Sequence, residues 1–427
     1  MLRMRHLFRP LLAIACACLT AMPAHAQQTL AQLGRNLPST VDRALQVPAQ
    51  ALQGVRETID PVTGEVLEPL LDRARESRRL LRRFPDRLDT DPLGELVMKR
   101  QLIALAPSPD ALARIVGAGF VVAERRPPDD LGLELVVLRA PAALDTRAAL
   151  ALLRRLDPTG SYEFDHVYQR SGGGMQSGSA VAATAPTDAR EVRVGLIDGG
   201  VDAAHPALAK TDVHAWGCNG KRVPDAHGTA VASLLMGGAN AQAGGVLYAA
   251  DIWCGQPVGG ATSVLVEALA WMAREKVPVI NISLVGPDNA ILRRATEALN
   301  QRGFVLIAAV GNDGPAAPPL YPAAYPGVIG VTAVDRRGRV LPEAAHGRQV
   351  DFAALGSGLR AARPHDSWAT VRGTSFAAPL VAHRAALQVD APRAGNAETV
   401  LQALARSARK TGGSVRDDTY GFGILEN

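Results

Sequence analysis

Aromatic residues are scarce in this chain of 427 residues, at 4% of the sequence. The core must therefore be built mainly from Ala, Val, Leu and Ile, because hydrophobic residues altogether reach 47%. That share argues against a disordered chain. The length allows two or three domains, at least one of them with a large core. No repeat of fixed period is visible.

A large excess of one charge is also missing. The formal net charge is +5, and Arg3, Arg5 and Arg9 lie within the first ten residues, where no acid offsets them. Without these three arginines the net charge is +2. The sequence therefore gives no electrostatic reason to expect a nucleic-acid partner.

The first 26 residues predict a signal for export. After the three arginines comes an apolar run from Leu11 to Thr20, and Ala24-His25-Ala26 forms a cleavage site before Gln27. The run is too short for a permanent membrane span. Lipoprotein anchoring through Cys16 or Cys18 is the alternative, but neither follows a leucine at the expected offset. We expect a protein exported to the periplasm or secreted, with the signal cleaved after Ala26.

Cysteine is rare, and two of the four cysteines precede that cleavage site. Cys218 and Cys254 remain in the mature chain. In an exported protein two cysteines allow a single pairing, so we expect a disulfide between them. Two buried free thiols are the alternative.

Three segments precede the region that carries chemistry. Residues 27–95 predict a polar, helical N-terminal segment, and its arginine-rich stretch from Asp72 to Arg87 is interpreted as a solvated helix face without chemistry. Residues 96–170 have the order strand, helix, strand, strand, helix, strand, which predicts a small α+β unit of the ferredoxin-like kind. Residues 171–189 are rich in Gly, Ser and Ala and predict a flexible linker open to proteolysis.

From residue 190 to 427 the pattern changes to apolar strands alternating with helices. Strands such as Val192–Ile197, Val279–Ser283 and Val305–Val310 are nearly continuous runs of apolar residues. Such runs between helices predict an α/β domain with a doubly wound, mostly parallel sheet that is buried on both faces. In such sheets the functional site lies at the carboxyl ends of the strands.

Four polar residues stand at the positions where such a site forms. Asp198 ends a strand, His227 lies in the first turn of a helix, Asn312 ends another strand and Ser375 begins a helix. A serine hydroxyl becomes an effective nucleophile only with a base and with donors for the oxyanion that forms. Taken singly, each residue also has a structural explanation: a cap for Asp198 and Ser375, a packed histidine for His227, and a turn for Asn312.

Together, in the order Asp, His, Ser, these stretches resemble the subtilisin-like serine proteases, the subtilase or peptidase S8 family. The resemblance covers about residues 190 to 427, more than half of the chain. The matching stretches are Val194-Gly195-Leu196-Ile197-Asp198-Gly199-Gly200-Val201-Asp202, His205-Pro206, His227-Gly228-Thr229, Asn281-Ile282-Ser283-Leu284, Gly311-Asn312, Tyr321-Pro322-Ala323 and Gly373-Thr374-Ser375-Phe376-Ala377-Ala378-Pro379.

The resemblance implies a role for each of these residues. Ser375 would attack the scissile carbonyl, His227 would act as general base and then acid, and Asp198 would orient the imidazole. Asn312 and the Ser375 amide would hold the oxyanion. The backbone of four residues would pair with the substrate as an added strand: Ser283, Leu284, Val285 and Gly286. We therefore expect an exported serine endopeptidase acting on proteins or peptides. A catalytically inactive, subtilase-like binding or scaffold protein is the alternative.

The sequence departs from the family pattern at several positions. Gly199 stands where the family usually has serine or threonine, and Ala230 replaces a histidine. Val285 stands where glycine is usual, beside the pocket for the residue before the cut. Its isopropyl group should narrow that pocket, which predicts a preference for small or medium apolar residues there.

The resemblance also bears on cofactors and on the small unit. Family members often bind calcium through acidic loops, but the loop after Met236 contains no acid before Asp251, so no metal site and no cofactor is identified. A ferredoxin-like propeptide commonly precedes the catalytic domain, and a template would assist a slowly folding parallel sheet. We expect residues 96–170 to be such an intramolecular propeptide of a monomeric zymogen. A permanent accessory domain is the alternative.

Overall fold

The computed structural model of the chain describes residues 61–127, 130–171, 175–176, 181–182, 191–237, 244–412 and 415–426. The predicted signal peptide, residues 27–60 and most of the predicted linker lie outside the described residues. All described residues belong to one compact unit, Ile59–Asn427.

The N-terminal part contains a long helix and a small antiparallel sheet. Strand β2 (Leu96–Leu105) lies inside that sheet, with β4 (Leu135–Arg139) and β5 (Ser161–His166) on its two sides. Strand β3 (Val121–Arg126) pairs with β4. This is the predicted ferredoxin-like order, extended by the short strand β1, which also pairs with β2. The elements are α1 (Pro61–Arg83), β1 (Leu88–Thr90), β2 (Leu96–Leu105), α2 (Pro109–Gly117), β3 (Val121–Arg126), β4 (Leu135–Arg139), α3 (Thr146–Leu156) and β5 (Ser161–His166).

Short strands occur in and beside the predicted linker. Strand β6 (Gln169–Arg170) pairs with β13 (Leu284–Val285). Strands β7 (Met175–Gln176) and β8 (Val181–Ala182) lie within the predicted linker and join the hairpin of β17 (Ser357–Arg363) and β18 (Ser367–Arg372). At these points the chain is held by backbone pairing to the larger part of the molecule.

The larger part is built on an eight-stranded sheet in which every neighbouring pair is parallel. The α/β prediction is therefore confirmed for this part of the chain. In spatial order the strands are β10 (Thr211–Trp216), β11 (Gly245–Asp251), β9 (Val192–Asp198), β12 (Val279–Ile282), β14 (Val305–Ala309), β15 (Val328–Val334), β16 (Phe352–Leu355) and β19 (Ile424–Leu425).

Helices cover both faces of this sheet because its strands are apolar on both sides. One face packs against α4 (Ala226–Leu235), α7 (Thr374–Ala386) and α8 (Asn396–Ser407), with Leu234, Val381 and Leu404 in a single core cluster. The other face packs against α5 (Thr262–Arg274) and α6 (Ala290–Gln301). The two clusters take alternate residues of the central strands, such as Val279 and Ile280.

None of the described helices has the length and apolar character needed to cross a bilayer.

A disulfide joins Cys218 and Cys254, with 5.2 Å between their α-carbons. Cys218 follows β10 and Cys254 follows β11, so the bond links two neighbouring strands at their carboxyl ends. It closes a loop of 36 residues and lies beside Asp251, which accepts a hydrogen bond from the Cys254 amide at 2.8 Å.

We predict no free thiol in the unreduced, denatured chain that begins at Gln27. Replacing both cysteines by serine should lower the free energy of unfolding by about 3 to 4 kcal/mol, because the closed loop restricts the unfolded chain. Thiol titration and urea denaturation measure the two effects. Two titratable thiols per chain would contradict the prediction.

Candidate active site

Asp198 and His227 form a buried pair at the carboxyl edge of the large sheet. Asp198 is the last residue of β9, and both of its carboxylate oxygens lie 2.9 Å from Nδ1 of His227. The Asp198 side chain is completely buried, and one oxygen also accepts the Gly199 amide at 2.6 Å. These two contacts hold the imidazole in one orientation.

Helix α4 brings His227 to this position by an unusually close approach to the sheet. A β-carbon on Gly228 would lie 2.2 Å from the Gly199 carbonyl oxygen, so only glycine fits at this point. Asp225 caps the helix by accepting the amides of His227 and Gly228 at 2.9 and 3.2 Å. The cap and the glycine together hold the first turn against the end of β9.

Ser375 lies in the first turn of α7, directly after Thr374. Pro379, four residues later, has no amide proton to bond the Ser375 carbonyl. The Ser283 hydroxyl donates to that carbonyl instead, at 3.1 Å. The start of α7 is therefore tied to the strand on which the substrate was predicted to pair.

Asn312 reaches the same place from the loop after β14. Its side-chain oxygen accepts the Thr374 amide at 3.1 Å, and the Thr374 hydroxyl accepts the Gly311 amide at 3.3 Å. These contacts leave the Asn312 Nδ2 group buried and without a hydrogen-bond partner among the described residues. A donor held in this way is what an oxyanion requires.

The hydroxyl of Ser375 is not bonded to His227 in this structure. It donates to the Ser283 carbonyl at 3.2 Å and lies 2.5 Å from the hydroxyl of Ser171. Nε2 of His227 is buried and lacks a partner among the described residues. The Ser375 hydroxyl therefore contacts another part of the same chain instead of the imidazole.

The occupying segment is the end of the ferredoxin-like unit, residues 168–171. On one side Arg170 and Gln169 pair with Leu284 and Val285 in an antiparallel ladder. On the other side the Tyr168 amide donates to the Gly260 carbonyl at 2.8 Å. The segment thus lies between β13 and the backbone at Gly260, and it pairs with β13 as an added strand.

Ser171 is the last residue of that segment and lies beside Ser375. Its amide donates to the Ser283 carbonyl at 3.4 Å, which continues the ladder by one residue, and its side chain is buried against Ser375. Gly286, which was also expected to pair with substrate, exchanges backbone bonds with Tyr321 instead. The chain beyond Gly286 turns toward that loop.

Tyr168 fills a closed pocket three residues before Ser171. It is fully buried, and its hydroxyl donates to the Pro287 carbonyl at 2.7 Å. A β-carbon on Gly286 would lie 2.6 Å from the Tyr168 ring, so glycine at this position leaves the space that the ring needs.

The sequence reasoning missed a contact between α1 and the loop that holds Asn312. Arg73 lies 2.9 Å from the Asp313 carboxylate and 3.2 Å from that of Glu95, and its side chain is 13% exposed. Burial raises the pKa of Asp313, although the Arg73 guanidinium lowers it. The arginine-rich face of α1 is thus only partly solvated. Arg73 connects α1 to the loop that holds Asn312.

One group of residues among those described has the composition of a metal site: Cys218, Asp251 and Cys254. The two sulfur atoms are bonded to each other and cannot act as thiolate ligands. A single carboxylate does not make a calcium site, since calcium takes six to eight oxygen ligands.

Comparison with known proteins agrees with this geometry. The model of the Subtilase family matches residues 189–423. The chain is 30% identical to the minor extracellular protease Epr of Bacillus subtilis, over 47% of this chain and 32% of that protein. It thus spans about a third of Epr's length. Identity to subtilisin E of Bacillus subtilis is 28%, over 67% of this chain and 78% of that protein.

Among solved structures, fervidolysin of Fervidobacterium pennivorans, a keratinolytic enzyme related to subtilisin, has the same fold. The TM-score is 0.64 with 18% identity, over 78% of this chain and 60% of that one.

We predict that Arg73→Met loosens α1 in the Ser375→Ala chain, which cannot process itself through Ser375. Amide hydrogen exchange in residues 61–83 should be about 10- to 100-fold faster, because the buried Asp313 loses its partner. The matched control is Arg79→Met, since Arg79 is exposed and pairs with Glu76 on the same helix. Equal exchange in the two variants would show that the Arg73 contact does not hold the helix.

Proposed function

The chain belongs to the subtilase family of serine-type endopeptidases, and on that basis we propose that it is an exported endopeptidase made as a precursor that occupies its own cleft. The predicted signal in residues 1–26 and the name of the extracellular relative Epr support export. Residues 61–171 would be the propeptide, since α1, the ferredoxin-like unit and the strand at 168–171 all contact the catalytic part.

The observation that carries this proposal is the antiparallel strand that ends at Ser171. Its backbone pairs on both sides with the large domain, and its last residue touches the nucleophile. An added strand is a common way for a protein to bind an extended peptide. A segment bound in this manner at a nucleophilic serine supports the roles of substrate in processing and of inhibitor before release.

The residues support a conventional acyl transfer at the bond after Ser171. The Ser375 hydroxyl rotates from the Ser283 carbonyl toward His227, and its oxygen attacks the Ser171 carbonyl carbon as Nε2 takes the proton. Asn312 Nδ2 and the Ser375 amide stabilise the negative oxygen. The amine of residue 172 leaves with the proton from His227, and water then hydrolyses the acyl-enzyme by the same route.

Contacts away from the cleft support the inhibitory role of the ferredoxin-like unit. Asp165 accepts both the amide and the hydroxyl of Ser263 at 2.9 and 2.7 Å, so it lies at the N-terminus of α5, where negative charge is favoured. Asn289, the cap of α6, donates to the Phe164 carbonyl at 3.0 Å. Neither contact depends on the bond after Ser171, so the unit would remain docked after that bond is cut.

The first test is labelling with a fluorophosphonate probe, which reacts with an activated serine. We expect the processed protein to be labelled and the Ser375→Ala variant to remain unlabelled, because the probe needs the nucleophile beside His227. In-gel fluorescence measures the result. The inactive scaffold alternative predicts that the wild-type protein is not labelled at any probe concentration that leaves the Ser375→Ala variant unlabelled.

The second test is the position of processing. We expect mass spectrometry to find a propeptide fragment ending at Ser171 in the wild type and none in Ser375→Ala. We also expect the site to accept only small or medium side chains at position 171, because the isopropyl group of Val285, on the strand that pairs with this segment, should narrow the pocket there.

Ser171→Phe should therefore slow processing at least about tenfold, whereas Ser171→Ala should be processed like the wild type. A wild-type cut at another position, or equally fast processing of Ser171→Phe, would refute this assignment.

A further inference from the structure

We propose that the cleft binds a cationic side chain of the substrate, an arginine above all, at the second residue before the cut, through Asp225 and Trp253. This inference rests on the proposed function, since it treats residues 168–171 as a bound peptide. It goes further because it assigns a chemical class of substrate. It also gives Asp225 a second role beside that of helix cap.

Arg170 occupies this position, and its side chain contacts two groups of the large domain. Its Nη2 group lies 2.9 Å from the Asp225 carboxylate, with side-chain exposures of 34% and 25%. Its guanidinium lies over the Trp253 ring, 4.6 Å from the ring centroid. An ion pair at one edge and an aromatic face below define a site for a planar cation.

Both partners of Arg170 belong to the catalytic part and are held there by contacts that do not involve the propeptide. One Asp225 oxygen caps α4, and the other is the atom that contacts Arg170. The Trp253 amide donates to Asp251 at 3.0 Å, just after β11. The site would therefore keep its shape after the propeptide leaves, and substrate arginines would meet the same two groups.

A departure from the family pattern makes room for this carboxylate. A β-carbon on Gly199 would lie 2.8 Å from Cγ of Asp225, so the serine or threonine usual at this position would collide with it. Glycine at position 199 therefore leaves the space that the Asp225 side chain occupies.

The surrounding charges also favour a cation. Asp198 and Asp251 are the neighbouring carboxylates, and His227 is held by Asp198. Burial raises the pKa of Asp251, and the nearby charges of Asp225 and Asp198 raise it further, which indicates a concentration of negative charge at this edge. When Arg170 leaves with the propeptide, Asp225 loses this cation, and an arginine of a substrate would take its place beside the carboxylate.

The test uses the enzyme processed from the full chain and internally quenched peptides with the sequence of residues 168–174. The arginine is kept, or replaced by citrulline, which has the same shape without the charge. We expect kcat/KM for the arginine peptide to exceed that for the citrulline peptide on the order of tenfold, because the pair is partly exposed and its attraction is screened. The ratio should fall as ionic strength rises.

The decisive variant is Asp225→Asn, whose amide oxygen can still cap α4 while the charge is lost. The ratio of the two peptides within this variant should fall to about one, and any general loss of activity cancels in that ratio. Asp212→Asn is the matched control, because Asp212 is an exposed carboxylate that pairs with His214. It should keep the wild-type ratio.

Trp253→Leu tests the aromatic contact separately, with a third peptide in which alanine replaces the arginine. The ratio of kcat/KM for the arginine peptide to that for the alanine peptide should fall a few-fold in this variant. Equal hydrolysis of the arginine and citrulline peptides by the wild type, or a preserved preference in Asp225→Asn, would overturn the inference while leaving the endopeptidase intact. Failure of the proposed function looks different, since no peptide would then be cleaved and Ser375 would not be labelled.

Discussion

The close contact between the first turn of α4 and the end of β9 is the constraint on which the site depends. Gly228 lies so near the Gly199 carbonyl that no side chain fits between helix and strand. This distance sets His227 within hydrogen-bond range of both Asp198 oxygens. The carboxylate of Asp225, which caps the same helix, is pressed against Gly199 for the same reason. The orientation of His227, the capping of α4 and the position of the Asp225 carboxylate therefore all depend on this one contact.

A parallel sheet allows this arrangement because the carboxyl ends of its strands and the starts of the following helices lie at one edge. Asp198 and the loop of Asn312 come from strand ends, and His227 and Ser375 come from helix starts. The α7 helix adds its own adjustment, since Pro379 frees the Ser375 carbonyl for the Ser283 hydroxyl. Ser375 is thereby tied to the segment that pairs with residues 169–171, so a shift of that segment would also move Ser375.

The four candidate positions Asp198, His227, Asn312 and Ser375 could be singled out from the sequence, because each lies near the end of a strand or the start of a helix in a recognisable local motif. Ser171 and Arg170 could not, since nothing in Tyr168-Gln169-Arg170-Ser171 distinguishes the end of a small domain from a bound peptide. The contact of Arg73 with Asp313 joins residues 240 positions apart, and one arginine among many carries no local signal. Strand β10 was also missed, because an edge strand with alternating polar residues resembles a loop.

Under the proposed function, latency and specificity would depend on the same atoms. A cut after Ser171 would remove one covalent link but would leave the backbone ladder, Tyr168, Arg170 and the contacts of Asp165 and Arg73 in place. Release then requires these noncovalent contacts to be lost together, and a free peptide that reproduces only the residues in the cleft lacks the distant ones. The proposed propeptide would therefore bind far more tightly than a substrate with the same residues before the cut. An enzyme built in this way can use one subsite both to remain inhibited by its precursor and to release ordinary products.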